Sequence, residues 1–282
     1  MLPRELTVWR GPVMVIAAKE IKDSLRNRWV TVIFAIFMLL ALSVTFAGSA
    51  VSGTLSFPAL ASVITSLSTV SVFIIPLAAI LLSYDAFVGE EEAGTMLLLL
   101  SYPLTKRQIF MGKFIAHSAI MVTAITISFG LSAAILLGFG DGYLWGKTVS
   151  AFGQFIVSSS LLAVTFILIS YLVSVRSSEK AKAVGSLLSI WFSLVLIYDL
   201  ILLALLVADL GSTAQVIVNA MMLLNPTDIY RAINLFSTGT QLGGIALLTK
   251  SSLSSGLLYM LLLIWVVLLA WLSQRAFARK AI

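Results

Sequence analysis

Residues 29–50, WVTVIFAIFMLLALSVTFAGSA, carry no charged side chain over their whole length. In a helix that rises 1.5 Å per residue, about 20 apolar residues span a hydrocarbon core of about 30 Å. Five further segments have the same character, and one of them is slightly shorter. They are residues 60–84, 114–139, 153–175, 185–207 and 256–273. The sequence therefore predicts an all-α integral membrane protein with six transmembrane helices in a single domain, 1–282.

The basic residues alternate between the two sides of these spans. Of the 18 Lys and Arg residues, all but Lys147, Arg231 and Lys250 fall on the side that carries both termini. Cytoplasmic loops are enriched in Lys and Arg, so both termini are predicted to be cytoplasmic. The net charge of +6 is then explained by topology and by contact with the lipid bilayer, and we expect no nucleic-acid partner.

The chain has no cysteine and one histidine, His117. Disulfides and thiolate metal sites are excluded within the chain, and a site built from several histidines cannot form in one copy. We therefore predict no metal site.

Residues 12–28 predict an amphipathic helix that lies in the membrane interface. Apolar residues recur there at helical spacing, whereas the lysines fall on the other face. Two interpretations remain open: a membrane-parallel anchor, or an anchor whose polar face also contacts a partner.

The loop 85–113 combines three carboxylates, Glu90, Glu91 and Glu92, with a leucine run too short to cross a membrane. Thr105 can cap the helix that follows. A charge run of this kind is usually a solvated turn. The leucines 97–100 favour a second interpretation, because they would be exposed apolar surface unless another protein covered them.

This loop resembles the permease subunits of type 2 ATP-binding-cassette (ABC) transporters, through Asp85, the triplet, Gly94-Thr95 and Gly112-Lys113-Phe114. The resemblance implies that the loop contains a cytoplasmic coupling helix that contacts an ABC ATPase, and that the permease is a homodimer in the bacterial inner membrane. It also implies that ATP and Mg are bound by the separate ATPase, so this chain has no catalytic residue and binds no cofactor. The expected ATPase-coupling residues are Glu90, Glu91, Glu92, Gly94, Thr95, Arg107 and Glu179.

The predicted periplasmic loop 208–255 contains a helix start at Asn225-Pro226-Thr227-Asp228, with Asn225 as its cap. From the residues alone, this helix either plugs the outer mouth or presents a polar and aromatic surface to a partner. The segment resembles, within the family, the permeases that serve copper-centre assembly of nitrous oxide reductase in denitrification. That likeness implies a periplasmic copper-handling partner. Its expected contacts are Asn225, Pro226, Asp228, Tyr230, Arg231 and Asn234.

One of the predicted spans contains an acidic residue. Asp199 lies within the fifth span, where an ionisable group must face protein or a water-filled cavity. Asp199 either lines a transport path or bonds to a neighbouring helix, and the other spans hold no basic partner for it.

Gly146-Lys147-Thr148 looks like the end of a phosphate loop, but Asp141 stands where the first glycine is required.

Two alternatives to a maturation permease remain at this point. One is an exporter of a drug, a lipid or another small molecule, and the other is a subunit that transmits motion without moving cargo. The scarcity of metal ligands in the spans favours transmission over copper passage.

Overall fold

The computed structural model describes residues 11–26, 28–53, 56–207, 217, 220–238 and 254–280, and these ranges contain helices and no strand. The helices are α1 (Pro12–Arg26), α2 (Arg28–Thr45), α3 (Ala47–Ser52), α4 (Leu60–Ser83), α5 (Val88–Glu92), α6 (Thr95–Ser101), α7 (Lys106–Phe139), α8 (Trp145–Arg176), α9 (Lys180–Phe192), a π-helical turn (Ser193–Ile197), α10 (Tyr198–Val207), α11 (Pro226–Thr238) and α12 (Ser255–Arg279).

Within the described ranges, six helical segments are long and apolar enough to cross a membrane, which agrees with the predicted number of spans. They are α2, α4, α7, α8, the continuous unit of α9 and α10, and α12. Several begin or end beyond the predicted apolar runs. α7 begins at Lys106 because Thr105 and Gln108 form the predicted cap, with each side chain bonded to the other residue's backbone N–H.

α4 and α8 form the centre of the bundle. In the most apolar window of each, 61% of the residues are buried, compared with 17% in both Lys180–Leu205 and Ser255–Arg279. α7 and α12 pack against α8, and α2 packs against α7. The helices around this centre therefore leave broad apolar faces uncovered within one chain.

α1 packs along the first turns of α7, as a separate helix before the first span. Gly112 permits this approach: a Cβ at that position would lie 2.6 Å from the Cβ of Ile16. The two helices meet at what we call the terminal end of the bundle, where α5, α6 and the last residues of α12 also lie.

α11 is inserted among the spans at their middle, although the sequence placed it in a loop. The Tyr230 hydroxyl lies 3.3 Å from the Ser159 Oγ, and the Asn234 amide donates to the Ser158 Oγ at 3.0 Å. Both serines lie near the midpoint of α8. α11 also packs against α4 and α12.

Candidate functional site

Lys113 is the centre of a charged cluster at the terminal end. Its Nζ lies 2.9 Å from the Glu20 Oε1 and 3.2 Å from the Glu90 Oε1. The Lys113 side chain is only 2% exposed, and a buried ammonium is stable only when it is paired. Lys113 therefore holds α1 and α5 to α7, which the sequence did not indicate.

Lys19 adds a solvent-facing cation to the same cluster. Its Nζ lies 3.8 Å from both Glu20 and Glu90. Partial burial lowers the pKa of Lys19, but the carboxylates of Glu20, Glu90 and Asp23 outweigh this effect and raise the pKa above its ordinary value. The polar face of α1 is thus used at least in part within the chain.

The other two carboxylates of the triplet bind other elements. Glu91 pairs with Lys280 at the end of α12. The Glu92 Oε1 accepts a hydrogen bond of 2.6 Å from the backbone N–H of Lys180, at the start of α9. The triplet therefore joins α5 to α7, α12 and α9, and it is not a purely solvated turn.

Glu92 supplies the cap of α9 from a distant part of the chain. The Ser177 hydroxyl donates to the Val173 carbonyl, and the residue at the cap, Glu179, makes no capping bond with its side chain. The Glu179 carboxylate instead pairs with Lys182 at 2.8 Å.

Gly94 and Thr95 shape the turn between α5 and α6. Gly94 has φ of 68°, in the left-handed region that glycine adopts without strain. The Thr95 hydroxyl donates to the Glu90 carboxylate. Both residues therefore fix the geometry of the loop.

Leu97 and Leu98 of α6 face outward beside these ionic contacts, whereas Leu99 and Leu100 pack against the core. Leu97 is 64% exposed, Leu98 65% and Tyr102 64%, and we call these three residues the leucine face. Arg107, in the first turn of α7, is also exposed. An apolar surface with charged neighbours is typical of a protein interface.

A second polar network connects α11 to the fifth span. The Asn225 amide donates to the Leu194 carbonyl at 2.8 Å, and the Thr227 hydroxyl donates to the same oxygen at 3.3 Å. Leu194 lies in the π-helical turn, where the regular helical ladder is interrupted. Asn225 also accepts from the Thr227 N–H, which confirms the predicted helix start.

Arg231 is the basic partner of Asp199, although it lies outside the predicted spans. Its guanidinium pairs with Asp199 and, at 3.2 Å, with Asp228. It also lies 5.8 Å from the ring centroid of Phe73 in α4. The signal in the sequence was indirect: one acid stood within a span, and one arginine followed a helix start in the next loop.

Of the two interpretations of this helix, the one that gives it an exposed polar and aromatic surface is wrong for the described residues. Asn225, Tyr230 and Asn234 are fully buried, and Asp228 is 2% exposed. The helix turns these side chains toward α4, α8 and α10, because the buried polar groups find their hydrogen-bond partners there. Contact of this segment with a periplasmic partner stays a prediction, as does the contact of each named coupling residue with an ATPase.

The described residues include no group of three or more His, Asp or Glu side chains placed to bind a metal ion. The single histidine is engaged within the bundle, where its Nδ1 lies 2.7 Å from the Tyr171 hydroxyl.

The fold defines an α-helical membrane protein, and comparison with known proteins gives its family. The chain belongs to the ABC-2 family of transporter proteins, whose family model matches residues 14–282. It is 41% identical over 268 residues to the "Probable ABC transporter permease protein NosY" of Stutzerimonas stutzeri, covering 94% of this chain and 97% of that protein. It is 40% identical over 272 residues to the protein of the same name from Pseudomonas aeruginosa, covering 96% of this chain and 99% of that protein.

Proposed function

We propose that this permease serves the copper-centre assembly of nitrous oxide reductase, by coupling a cytoplasmic ABC ATPase to a periplasmic copper-handling protein. The observation that carries the proposal is the identity of about 40% with two NosY permeases over nearly the full length of each. The likeness of residues 224–235 to maturation permeases supports the same assignment. The chain lies in the bacterial inner membrane with both termini cytoplasmic.

The ATPase binds the leucine face. Leu97, Leu98 and Tyr102 are the large apolar side chains that α6 and its end leave exposed at the terminal end, while the neighbouring carboxylates are occupied within the chain. Arg107 and Glu179 lie at exposed positions from which they can form the polar rim of that contact. The triplet then acts by holding the leucine face against the spans.

The permease functions as a homodimer. Its interface includes the face of α10 that points away from the rest of the bundle. Asp199 is 32% exposed although it lies within a span, and Leu200, Ile201 and Leu203 are exposed beside it. A charged pair that faced lipid would be costly, and a second copy of the chain would cover it.

The motion that the ATPase causes at the leucine face reaches the opposite end of the bundle, away from the termini, through α11. The triplet ties the leucine face to α7, α9 and α12, and α11 packs on α12 and bonds to the helix that continues α9. This continuity favours transmission of motion. An exporter of a small molecule is the second candidate, and the uncovered faces of α9 and α10 favour it, since two such faces can enclose a path in a dimer.

Deletion of the gene from its own host tests the function. A maturation permease predicts that nitrous oxide reductase is still produced but lacks its copper centres, as measured by copper content and electron paramagnetic resonance, and that the restored gene reverses the defect. Copper-loaded reductase in the deletion strain would contradict the proposal and favour the exporter.

Reporter fusions after Gly142 and Glu179 test the orientation of the chain in the membrane. The fusion after Gly142 should report a periplasmic location, and the fusion after Glu179 a cytoplasmic one.

A further inference from the structure

A cleft opens between the start of α4 and the start of α8, at the end of the bundle opposite to the termini. Its first part has a volume of about 330 Å³ and is bordered by the loop that precedes α8. Its second part continues along α8 as far as Gln154, and Lys147 lines both parts. The proposed coupling function does not use this cleft.

The start of α8 offers donors to an anion in the cleft. The first N–H groups of a helix lack intrahelical partners, and the side chain at the cap of α8, Leu144, makes no hydrogen bond to them. A Cβ placed on Gly146 would meet no atom within 4 Å, so a ligand can approach the backbone there. The positive end of the helix and the exposed ammonium of Lys147 both attract negative charge.

Thr148 gives a second, independent indication of a ligand. It lines the first part of the cleft and is fully buried, and its hydroxyl has no hydrogen-bond partner among the described residues. Most buried hydroxyls are bonded, and of the six that lack a partner among the described residues only Thr148 lines this cleft. An oxygen atom of a ligand seated at the start of α8 would supply the missing partner.

A carboxylate on the same wall limits what the anion can be. Asp141 lines the first part of the cleft and is exposed. A simple anion would be repelled by Asp141, whereas a ligand that carries a phosphate and an ammonium would match both Lys147 and Asp141. Leu144 and Trp145 are 61% and 71% exposed at this end of the span, as expected for side chains at a membrane interface.

We propose that this cleft binds the headgroup of a phospholipid of the phosphatidylethanolamine type. The phosphate lies at the start of α8 beside Lys147 and Thr148, and the ammonium pairs with Asp141. The apolar residues Leu60, Ala61 and Ala151 line the second part of the cleft, where they contact the lipid chains. The lipid would therefore bridge α4 and α8, the two central helices of the bundle.

Native mass spectrometry of the full-length permease tests this proposal with three lipids of identical chains: phosphatidylethanolamine, phosphatidylglycerol and phosphatidylcholine. Phosphatidylethanolamine should bind about fivefold more tightly than the other two, since only its headgroup supplies both a phosphate and a hydrogen-bonding ammonium. Lys147→Gln should weaken its binding about tenfold. Asp141→Asn should remove the preference over phosphatidylglycerol. Lys182→Gln, at the terminal end, is the control and should change neither.

Three results would overturn the assignment. The first is equal binding of the three lipids to the unaltered protein. The second is full binding of phosphatidylethanolamine to the Lys147→Gln variant. The third is displacement of the bound lipid by inorganic phosphate at millimolar concentration, which would identify a free anion as the ligand.

Discussion

The Lys113 cluster at the terminal end and the α11 network in the middle of the bundle use the same kind of ion pair in different surroundings. Lys113 joins two carboxylates next to an exposed apolar face, and exposed Lys19 supports the same carboxylates. Arg231 joins two carboxylates among the spans, and Asn225, Tyr230 and Asn234 of the same segment are fully buried. The first network lies beside an apolar surface that a soluble protein can contact, whereas the second lies among the spans and connects α11 to α10.

The largest effect should come from Arg231→Met, which leaves Asp199 and Asp228 without their cation. Breaking a buried ion pair on one side costs about 3 kcal/mol or more, so we expect a loss of that size in the free energy of unfolding. Unfolding in detergent micelles measures it. Arg275→Met is the matched control, because Arg275 is exposed and stacks on Trp271 at 4.8 Å. Equal losses in the two variants would contradict the role of the α11 network.

A smaller loss, about 2 kcal/mol, is expected from Lys113→Met. Glu20 and Glu90 then remain near the surface with Lys19 at 3.8 Å from each, so their charges are partly compensated. The same unfolding measurement applies, with Lys182→Met as the control in an exposed pair. A loss larger than that of Arg231→Met would show that Lys19 does not compensate the charges of Glu20 and Glu90.

Substitutions in the leucine face should affect ATPase binding and leave the stability of the permease nearly unchanged. Replacing Leu97 and Leu98 together by Ser should change the stability of the permease by less than about 0.5 kcal/mol, because both side chains are exposed. It should weaken ATPase binding about tenfold or more, as loss of an apolar contact at an interface does. Copurification and titration with the ATPase measure this, and Ser101→Ala on the same helix is the control.

Substitutions in the triplet should affect both ATPase coupling and the stability of the permease. Replacing Glu90, Glu91 and Glu92 together by Gln should release or uncouple the ATPase while the protein still inserts in the membrane, but the stability of the permease should fall as well. Normal copurification, normal maturation activity and unchanged stability together would show that the contacts of the triplet contribute neither to coupling nor to stability.

The smallest effect should come from Lys280→Gln, which removes the contact of α12 with Glu91. Glu91 is 38% exposed, so water screens the pair, and the loss should be about 0.5 kcal/mol. The effect should disappear in 1 M salt, where the Debye length is about 3 Å. Arg279→Gln, one residue earlier and exposed, is the control. A loss that persists in high salt would mean that Lys280 acts through packing.

Much of the fold could be predicted because hydropathy and short-range capping act within a segment. The six spans follow from runs such as 29–50, whose cost of leaving the bilayer does not depend on their neighbours. The caps at Thr105 and Asn225 are contacts between residues two or three apart, so they are visible in the sequence. The family resemblance of the loop 85–113 was confirmed by the match over residues 14–282.

The roles of individual polar residues were decided only by the tertiary structure, because each depends on a partner far away in the chain. Glu92 caps a helix that begins 88 residues later, and Lys113 meets Glu20 across 93 residues. Asp199 meets Arg231 only because α11 enters the bundle, and α11 does so because its polar side chains find partners on α8 and α10. The amino-acid sequence thus determined which segments cross the membrane, whereas packing determined which charges remain available to other proteins.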